Sequence, residues 1–532
     1  MQMEPHAVTT AATHSTPRAG HLLIRGASLR VASMTINIAG TFMVLPFMIH
    51  QLGDYWYGVW ALIGAIVVQY HILDFGLSQT VVRFIAKHRT ERAAAEMAAV
   101  FSTALAAFGA FGAITFIGIA GLAATVPGWG FPPEEAQILA ASILMVGATM
   151  CCAFPTYAAE GCFTGVLRQD IPSLLQIVRT VLRLSLTYYL MAEGYSIMAL
   201  AAISLGCDTL YRLQLAWLLP RIVPEARFDR RAVSLRRLRE MLRFGRFVLL
   251  TNVARYSVIH TSMIIAGAFV GVAAATTYAI ALNIIERLEG ITRMALSMTM
   301  PAFSGLMGDG DPPAVLQQRF LMVSRIAGLG ISLLCGGLIV AGQPFVTAWM
   351  GQDYAAAYWP LLILSIAWMA DLAQVPAMQV LTALGQHRQF AMYDLAVAAA
   401  SAALAMLLSP AFGLPGIAAG VAVPVLVSAI LLKPRFAARA LHLPAIMLYR
   451  ETGKVVGGTL LLQVPVAVGL QQMEGPTILE LALFGAATYG PVGIIAALTL
   501  LPRSDQRYLV GLLPYRAARA VRSCLPYLRP AA

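Results

Sequence analysis

The chain has 532 residues, of which 59% are hydrophobic and 12% charged, with a mean hydropathy of +0.74 and a formal net charge of +12. Soluble domains carry roughly 25% charged residues, so a soluble globular protein is excluded. Nor does the basic excess point to nucleic acid: the Lys and Arg residues sit in breaks between apolar runs, where anionic lipid headgroups are their natural partners.

Residues 1–21 read as a disordered cytoplasmic tail. No signal peptide is expected, because the apolar run after Arg18 is long, contains Arg25 and Arg30, and lacks a cleavage site. From there apolar runs of about 20 residues recur, the length a helix needs to cross a hydrocarbon core of about 30 Å. The predicted spans are 24–50, 56–80, 96–125, 136–160, 171–191, 197–219, 245–269, 276–302, 321–345, 357–382, 390–411, 415–432, 455–470 and 477–501. The alternating ten-residue segments of an outer-membrane barrel are missing from this pattern. The expected fold is an all-α polytopic membrane protein of about fourteen transmembrane helices, arranged as two pseudo-symmetric six-helix bundles plus two C-terminal helices. Residues 22–219 would form the first lobe and 245–432 the second. Between them, 220–244 reads as a basic amphipathic helix lying on the inner leaflet. A cytoplasmic linker at 433–454, two extra spans within 455–501 and a basic amphipathic cytoplasmic tail at 502–532 complete the chain.

Loop charges orient these spans. Alternate loops hold Arg83, Lys87, Arg89 and Arg92, then Arg168, the dense run from Arg221 to Arg246, Arg319, Arg388, Lys433 to Lys454, and Arg503 to Arg529. The intervening loops, around Asp54, Glu134, Glu193, residues 270–275, Asp353, Gly413 and Glu474, hold neither Lys nor Arg. The positive-inside rule makes the first set cytoplasmic, with both termini inside, in a bacterial inner membrane. Missing one helix would mix the two sets, and they stay separate to the end. Tyr55, Trp56, Tyr57 and Trp60, and later Trp349, Tyr354, Tyr358 and Trp359, suit interfacial anchors at the outer helix ends. The six Cys show no metal or redox spacing and read as packing residues. No cofactor or metal is expected, and no GxxxxGK[ST] nucleotide loop occurs.

Two junctions six spans apart, GCFTGVLRQD and VLTALGQHRQF, repeat a Gly and an Arg at the same spacing: Gly165 to Arg168 and Gly385 to Arg388. Such a duplication is a recurrent transporter plan, with the substrate path between the halves. The stretch PFMIHQLGDYWYGVWALIGAIVVQYHILDFGLSQTVVRFIAKH carries Leu52, Gly53, Tyr57 and Gly58, then Leu73, Asp74, Gly76, Leu77 and Arg83. With Trp349, Gly351 and Tyr354 in AWMGQDYAAAY and the LTALGQHR junction, it resembles the polysaccharide-transporter branch of the multidrug/oligosaccharidyl-lipid/polysaccharide exporter superfamily over twelve helices. The resemblance implies a flippase that moves an undecaprenyl-pyrophosphate-linked oligosaccharide to the outer leaflet for O-antigen or exopolysaccharide synthesis. It also implies alternating access driven by an ion gradient, with polysaccharide polymerase machinery as a partner.

Ionisable side chains near mid-membrane are costly, so they face partners or water and are the first site candidates. Gln176, Arg179 and Arg183 share a helix face at i, i+3, i+7, as do Glu286, Glu289 and Arg293. Arg30 lies below Ser33, Asn37 and Thr41; Asn252 pairs in register with Arg255, and Asp371 with Gln374. For a pyrophosphate cargo, Arg30, Arg179, Arg183 and Arg255 are the expected contacts, since guanidinium stays charged and matches phosphate oxygens bidentately. Asp74, Glu286 and Asp371 are candidates for gating or ion coupling. Structural roles stand beside these: Glu289 and Arg293 can neutralise each other at i, i+4, Glu286 can pair with Arg255 or Arg287, and Asp74 can cap a helix.

A peptidoglycan-precursor flippase has the same physical requirements and is not separated by charge, whereas two other functions fit the same chain less well. A glycosyltransferase or polymerase on the same lipid carrier needs catalytic groups in a sizeable outer loop, and these loops are short. A drug or organic-cation exporter favours carboxylates and aromatics over arginines, and the intramembrane inventory leans toward arginine.

Overall fold

The computed structural model describes residues 17–69, 74–130, 132–297, 313–384 and 387–512, with the single residues 299, 303, 306 and 519. No strand occurs among them. His71, Leu73, Pro301, Gly385 and Cys524, and most of the two tails, lie outside the described residues.

The first helix, α1 (Pro17–Gln69), opens on a proline whose preset φ suits a first helical position. Residues 17–21 are therefore helical, where the sequence reading has a disordered tail. The first two predicted spans lie along α1, divided by a left-handed Gly53 at φ 74°. The second is shorter than expected. Phe75 (φ 51°) and Gly76 (φ 68°) are both left-handed, which a continuing helix cannot accommodate. A separate helix, α2 (Leu77–Thr90), starts there.

α3 (Ala94–Thr125), α4 (Pro133–Gly165), α5 (Asp170–Ala192) and α6 (Ile197–Ile222) follow, joined by short turns. The expected basic helix over 220–244 is not formed as one element. Pro224 disfavours a helical Val223, α6 stops at Ile222, and Asp229 caps a short 3-10 turn, Arg230–Ala232. Only then does α7 (Leu235–Ile265) begin. α8 (Val272–Ala295), α9 (Pro313–Met350), α10 (Tyr358–Leu372) and α11 (Val375–Ala383) come next. The predicted span 357–382 thus breaks at residues 373–374, because Pro376 in the first turn of α11 has no N–H to continue the ladder. α12 (His387–Val427) bends at Gly413 and widens into a π turn at Ser428–Leu432. α13 (Lys433–Ala440), α14 (Ala445–Leu462), α15 (Val464–Gln471), α16 (Ile478–Leu500) and α17 (Arg503–Leu512) complete the described chain, so the expected linker over 433–454 is largely helical.

Nine helical stretches among the described residues are long and apolar enough to cross a membrane. α5, α6 and α8 are long enough too, but each carries several charges.

The chain divides into two compact units. Unit 1 comprises residues 1–51 and 73–246; unit 2 comprises 52–72 and 247–532, so the half of α1 beyond Gly53 groups with the later helices. The core of unit 1 joins Leu77, Val81 and Ile85 of α2 to Phe101 and Phe108 of α3, Phe154 and Phe163 of α4, and Leu215 of α6. Gly76 sits where an added Cβ would lie 2.4 Å from the Gly245 carbonyl oxygen, so only glycine fits both its conformation and its neighbour. In unit 2, Gly58 lets α1 lie directly on α8, since a Cβ there would come within 2.1 Å of the Val272 carbonyl oxygen. Thr276 donates to the Asp54 carbonyl at 2.6 Å, and the Tyr354 hydroxyl donates to the Asp54 carboxylate. The QLGDYWYG and WMGQDY landmarks are therefore in contact.

Candidate functional site

In unit 1 the polar faces of α4, α5 and α6 meet. On α6 the spacing of Asp208, Tyr211 and Arg212 puts all three on one face. Asp208 accepts from Arg179 Nη1 at 3.2 Å and lies 3.8 Å from Arg212 Nη2. The Arg179 guanidinium also lies over the Tyr211 ring, 4.9 Å from its centre. Tyr211 in turn donates to Glu160 of α4 at 2.8 Å. Asp208, Arg212 and Glu160 lie outside the candidate set drawn from the sequence. Their signal is the same one that marks α5, polar residues at helical spacing inside an apolar span.

Arg179 thus meets a carboxylate on the neighbouring helix, which its own helix, with Asp170 nine residues away at the far end, does not reveal. Arg183 is one turn further along α5 and half-buried. Arg30, on α1, is exposed and forms no ion pair among the described residues. Asp74 is buried and accepts from the Ser78 N–H at 3.1 Å and the Ser78 hydroxyl at 2.8 Å. It caps the first turn of α2, whose N–H groups have no partner in the helix.

Unit 2 holds a cavity of about 90 Å³ lined by α7, α8, α10, α11, α12, the π turn and the start of α13. Its hub is Glu289, 4% exposed. One carboxylate oxygen accepts from Arg293 Nε at 2.6 Å and lies 3.8 Å from Arg255 Nη1; the other accepts from Trp368 Nε1 at 3.1 Å. Across the cavity wall Lys433 Nζ lies 2.5 Å from Asp371 Oδ1 and 3.7 Å from Asp394 Oδ1. The break after α10 leaves Asp371 at a helix end, and the π turn before α13 sets Lys433 against it.

Three of the sequence candidates, Arg255, Asp371 and Glu286, belong to this unit, and the first two line the cavity. Arg255 pairs with Glu289 rather than with Glu286, which instead lies 3.8 Å from His260 Nδ1. No group of His, Cys, Asp and Glu able to hold a metal occurs among the described residues.

Two arrangements result. The unit 1 cluster sets three arginines, Arg179, Arg183 and Arg212, against two carboxylates, Asp208 and Glu160, a formal surplus of one positive charge. The unit 2 cavity balances three cations against three carboxylates, an environment that is locally neutral and held by its own pairs.

The lipid II flippase MurJ, in an inward closed conformation, superposes with a TM-score of 0.68 over 90% of this chain and 100% of its own, at 11% identity. An inward-facing multidrug resistance MATE family transporter of the MOP superfamily gives 0.63 over 78% and 98%, at 15% identity. A MOP superfamily transporter from Pyrococcus furiosus, described as having a binding pocket of reverse polarity, gives 0.59 over 80% and 96%, at 14%. At these identities the likeness establishes a shared fold, that of an all-α polytopic membrane protein of the MOP type. No curated protein matches the sequence. The sequence model of one family does, over residues 52–359, and the chain belongs to that family, the polysaccharide biosynthesis proteins.

Proposed function

We propose that the protein is a flippase that carries a polyprenyl-pyrophosphate-linked oligosaccharide across the bacterial cytoplasmic membrane by alternating access. The observation that carries this reading is the polysaccharide-biosynthesis match over residues 52–359, in a fold shared with a lipid II flippase. Two of the nine membrane-length stretches contain a glycine bend, and α5, α6 and α8 add charged helices of spanning length. These features support about fourteen spans in two lobes with two C-terminal helices, both termini cytoplasmic by the loop charges.

In this mechanism the polyprenyl tail stays in lipid while the headgroup crosses through a cationic, hydrated path. Arg30, Arg179 and Arg183 bind the pyrophosphate, and Arg255 contributes when its pairing with Glu289 loosens. Arginine suits the task because it remains charged and bonds phosphate with two parallel N–H groups. Asp371, Glu286 and Asp74 are the candidates for coupling to an ion gradient and for gating. Unit 2's three cavity carboxylates and Trp368 favour a second reading, export of an organic cation.

Deletion of the gene separates the two. Flippase loss leaves lipid-linked glycan on the cytoplasmic leaflet and depletes surface polysaccharide. Normal surface glycan with raised drug sensitivity would overturn the flippase in favour of the exporter.

A further inference from the structure

At one end of unit 1, where α2, α4 and α6 finish and α3 begins, lies a recess of about 440 Å³. Its walls include Arg89 and Arg92 from the α2 to α3 turn, Arg168 from the α4 to α5 turn, and Glu225 beyond α6, with Met97 and Val223 at its floor. We propose that this recess binds the phosphate of an anionic glycerophospholipid headgroup from the adjacent leaflet. The proposal rests on the cytoplasmic orientation of these turns.

Both turns have the same geometry. At the first, Ala93 N donates to the His88 carbonyl with Arg92 left-handed at φ 54°; at the second, Arg168 N donates to the Phe163 carbonyl with Leu167 at φ 63°. This helix ending is usually made by glycine. Here a bare glycine is replaced at the first turn by an arginine that lines the recess. Arg168 is held by Asp170, which is 3% exposed and takes its Nε at 3.0 Å and its Nη2 at 3.5 Å. Its Nη1 remains for a ligand. Arg89 and Arg92 are exposed and form no ion pair among the described residues. Its lining side chains, three arginines against the carboxylate of Glu225, carry a formal excess of two positive charges, one of which Asp170 offsets from behind Arg168.

Basic residues at helix C-termini complement the carbonyl ends, and loop arginines set topology. Neither effect requires three of them, from two separate turns, around one concave space with an apolar floor. That combination matches a lipid phosphate, whose glycerol backbone can rest on Met97 and Val223.

Native mass spectrometry of the full chain tests this, with phosphatidylglycerol, phosphatidylcholine and inorganic pyrophosphate as separate probes. The R89A/R92A variant should bind phosphatidylglycerol about tenfold to thirtyfold less tightly, with phosphatidylcholine unchanged, and R89K/R92K should keep most of the affinity. Equal phosphatidylglycerol affinity in R89A/R92A and the parent overturns the proposal. So does pyrophosphate binding that is lost on R89A/R92A while phosphatidylglycerol binding persists, which assigns the recess to a soluble anion. Glycan export is scored separately: a chain that exports no glycan but loses phosphatidylglycerol with R89A/R92A keeps the recess and removes the flippase reading.

Discussion

The two units place charge inside an apolar fold in opposite ways. In unit 1, three arginines, Arg179, Arg183 and Arg212, stand against two carboxylates, of which Asp208 serves Arg179 and Arg212 and Glu160 is engaged by a tyrosine. In unit 2, Arg255 and Arg293 converge on Glu289, and Lys433 lies between Asp371 and Asp394. A balanced set centred on buried groups, here Glu289 and Lys433, is a structural device, because a buried charge is stable only while its partner is present. A set with surplus arginine leaves positive potential for a mobile anion to complete. The same residue type therefore has different work in each unit, and mutations should separate stability from transport accordingly.

The largest stability loss is expected for Glu289→Ala. It leaves the buried Trp368 N–H without its acceptor and deprives Arg255 and Arg293, each about a third exposed, of their shared carboxylate, at a cost of roughly 3 to 4 kcal/mol. Thermal unfolding of the solubilised full chain should show Tm falling by several degrees with a matching loss of expressed protein. An unchanged Tm would mean that the cavity charges are hydrated rather than mutually held.

Next comes Lys433→Met, which leaves Asp371 and Asp394 facing each other and costs about 3 kcal/mol. Adding Asp371→Asn and Asp394→Asn removes the repulsion, so the triple variant should recover most of the lost Tm. Failure to recover would show that the ammonium group holds the π turn by some other contact.

How much of this contrast is legible in the sequence depends on whether a contact is local. The Glu289 to Arg293 pair follows from i, i+4 spacing, and the break before α11 follows from Pro376. The resemblance landmarks around Gly53 and Tyr354 mark a real contact through Asp54. Pairs between helices are not legible, since spacing along α5 carries no trace of Asp208 on α6. Lys433 is the instructive failure. A lysine at the end of an apolar run reads as a loop charge, yet the Ser428–Leu432 π turn brings it into the cavity wall at 7% exposure. Asp74 has both a coupling and a capping reading in sequence, and the fold supplies the cap.

A smaller stability effect, with a larger effect on transport, is expected in unit 1. Arg179→Gln with Arg183→Gln should lower Tm only slightly, because Arg179 is partly solvated and a partly exposed ion pair contributes up to about 1 kcal/mol. Glycan export, measured as surface polysaccharide at equal protein level, should fall at least about tenfold, the loss of one or two charge-assisted phosphate contacts. Full export by this variant would remove both arginines from the substrate path and undo the functional half of the contrast.

Asp208→Asn is the smallest perturbation and the most discriminating. The change removes one negative charge, as Glu289→Gln does in unit 2, but Arg179 and Arg212 keep a neutral hydrogen-bond acceptor and Arg179 keeps its place over the Tyr211 ring. Its stability cost should be about 1 kcal/mol or less, and the added positive potential should leave export at half the parent level or better. Glu289→Gln, measured in parallel, should be clearly less stable, because the buried Glu289 uses one oxygen for the guanidinium groups and the other for the buried Trp368 N–H, and Gln keeps only one acceptor. If the two substitutions lower Tm equally, Asp208 is as much a structural counter-ion as Glu289, and the surplus of arginine in unit 1 is not available to a ligand.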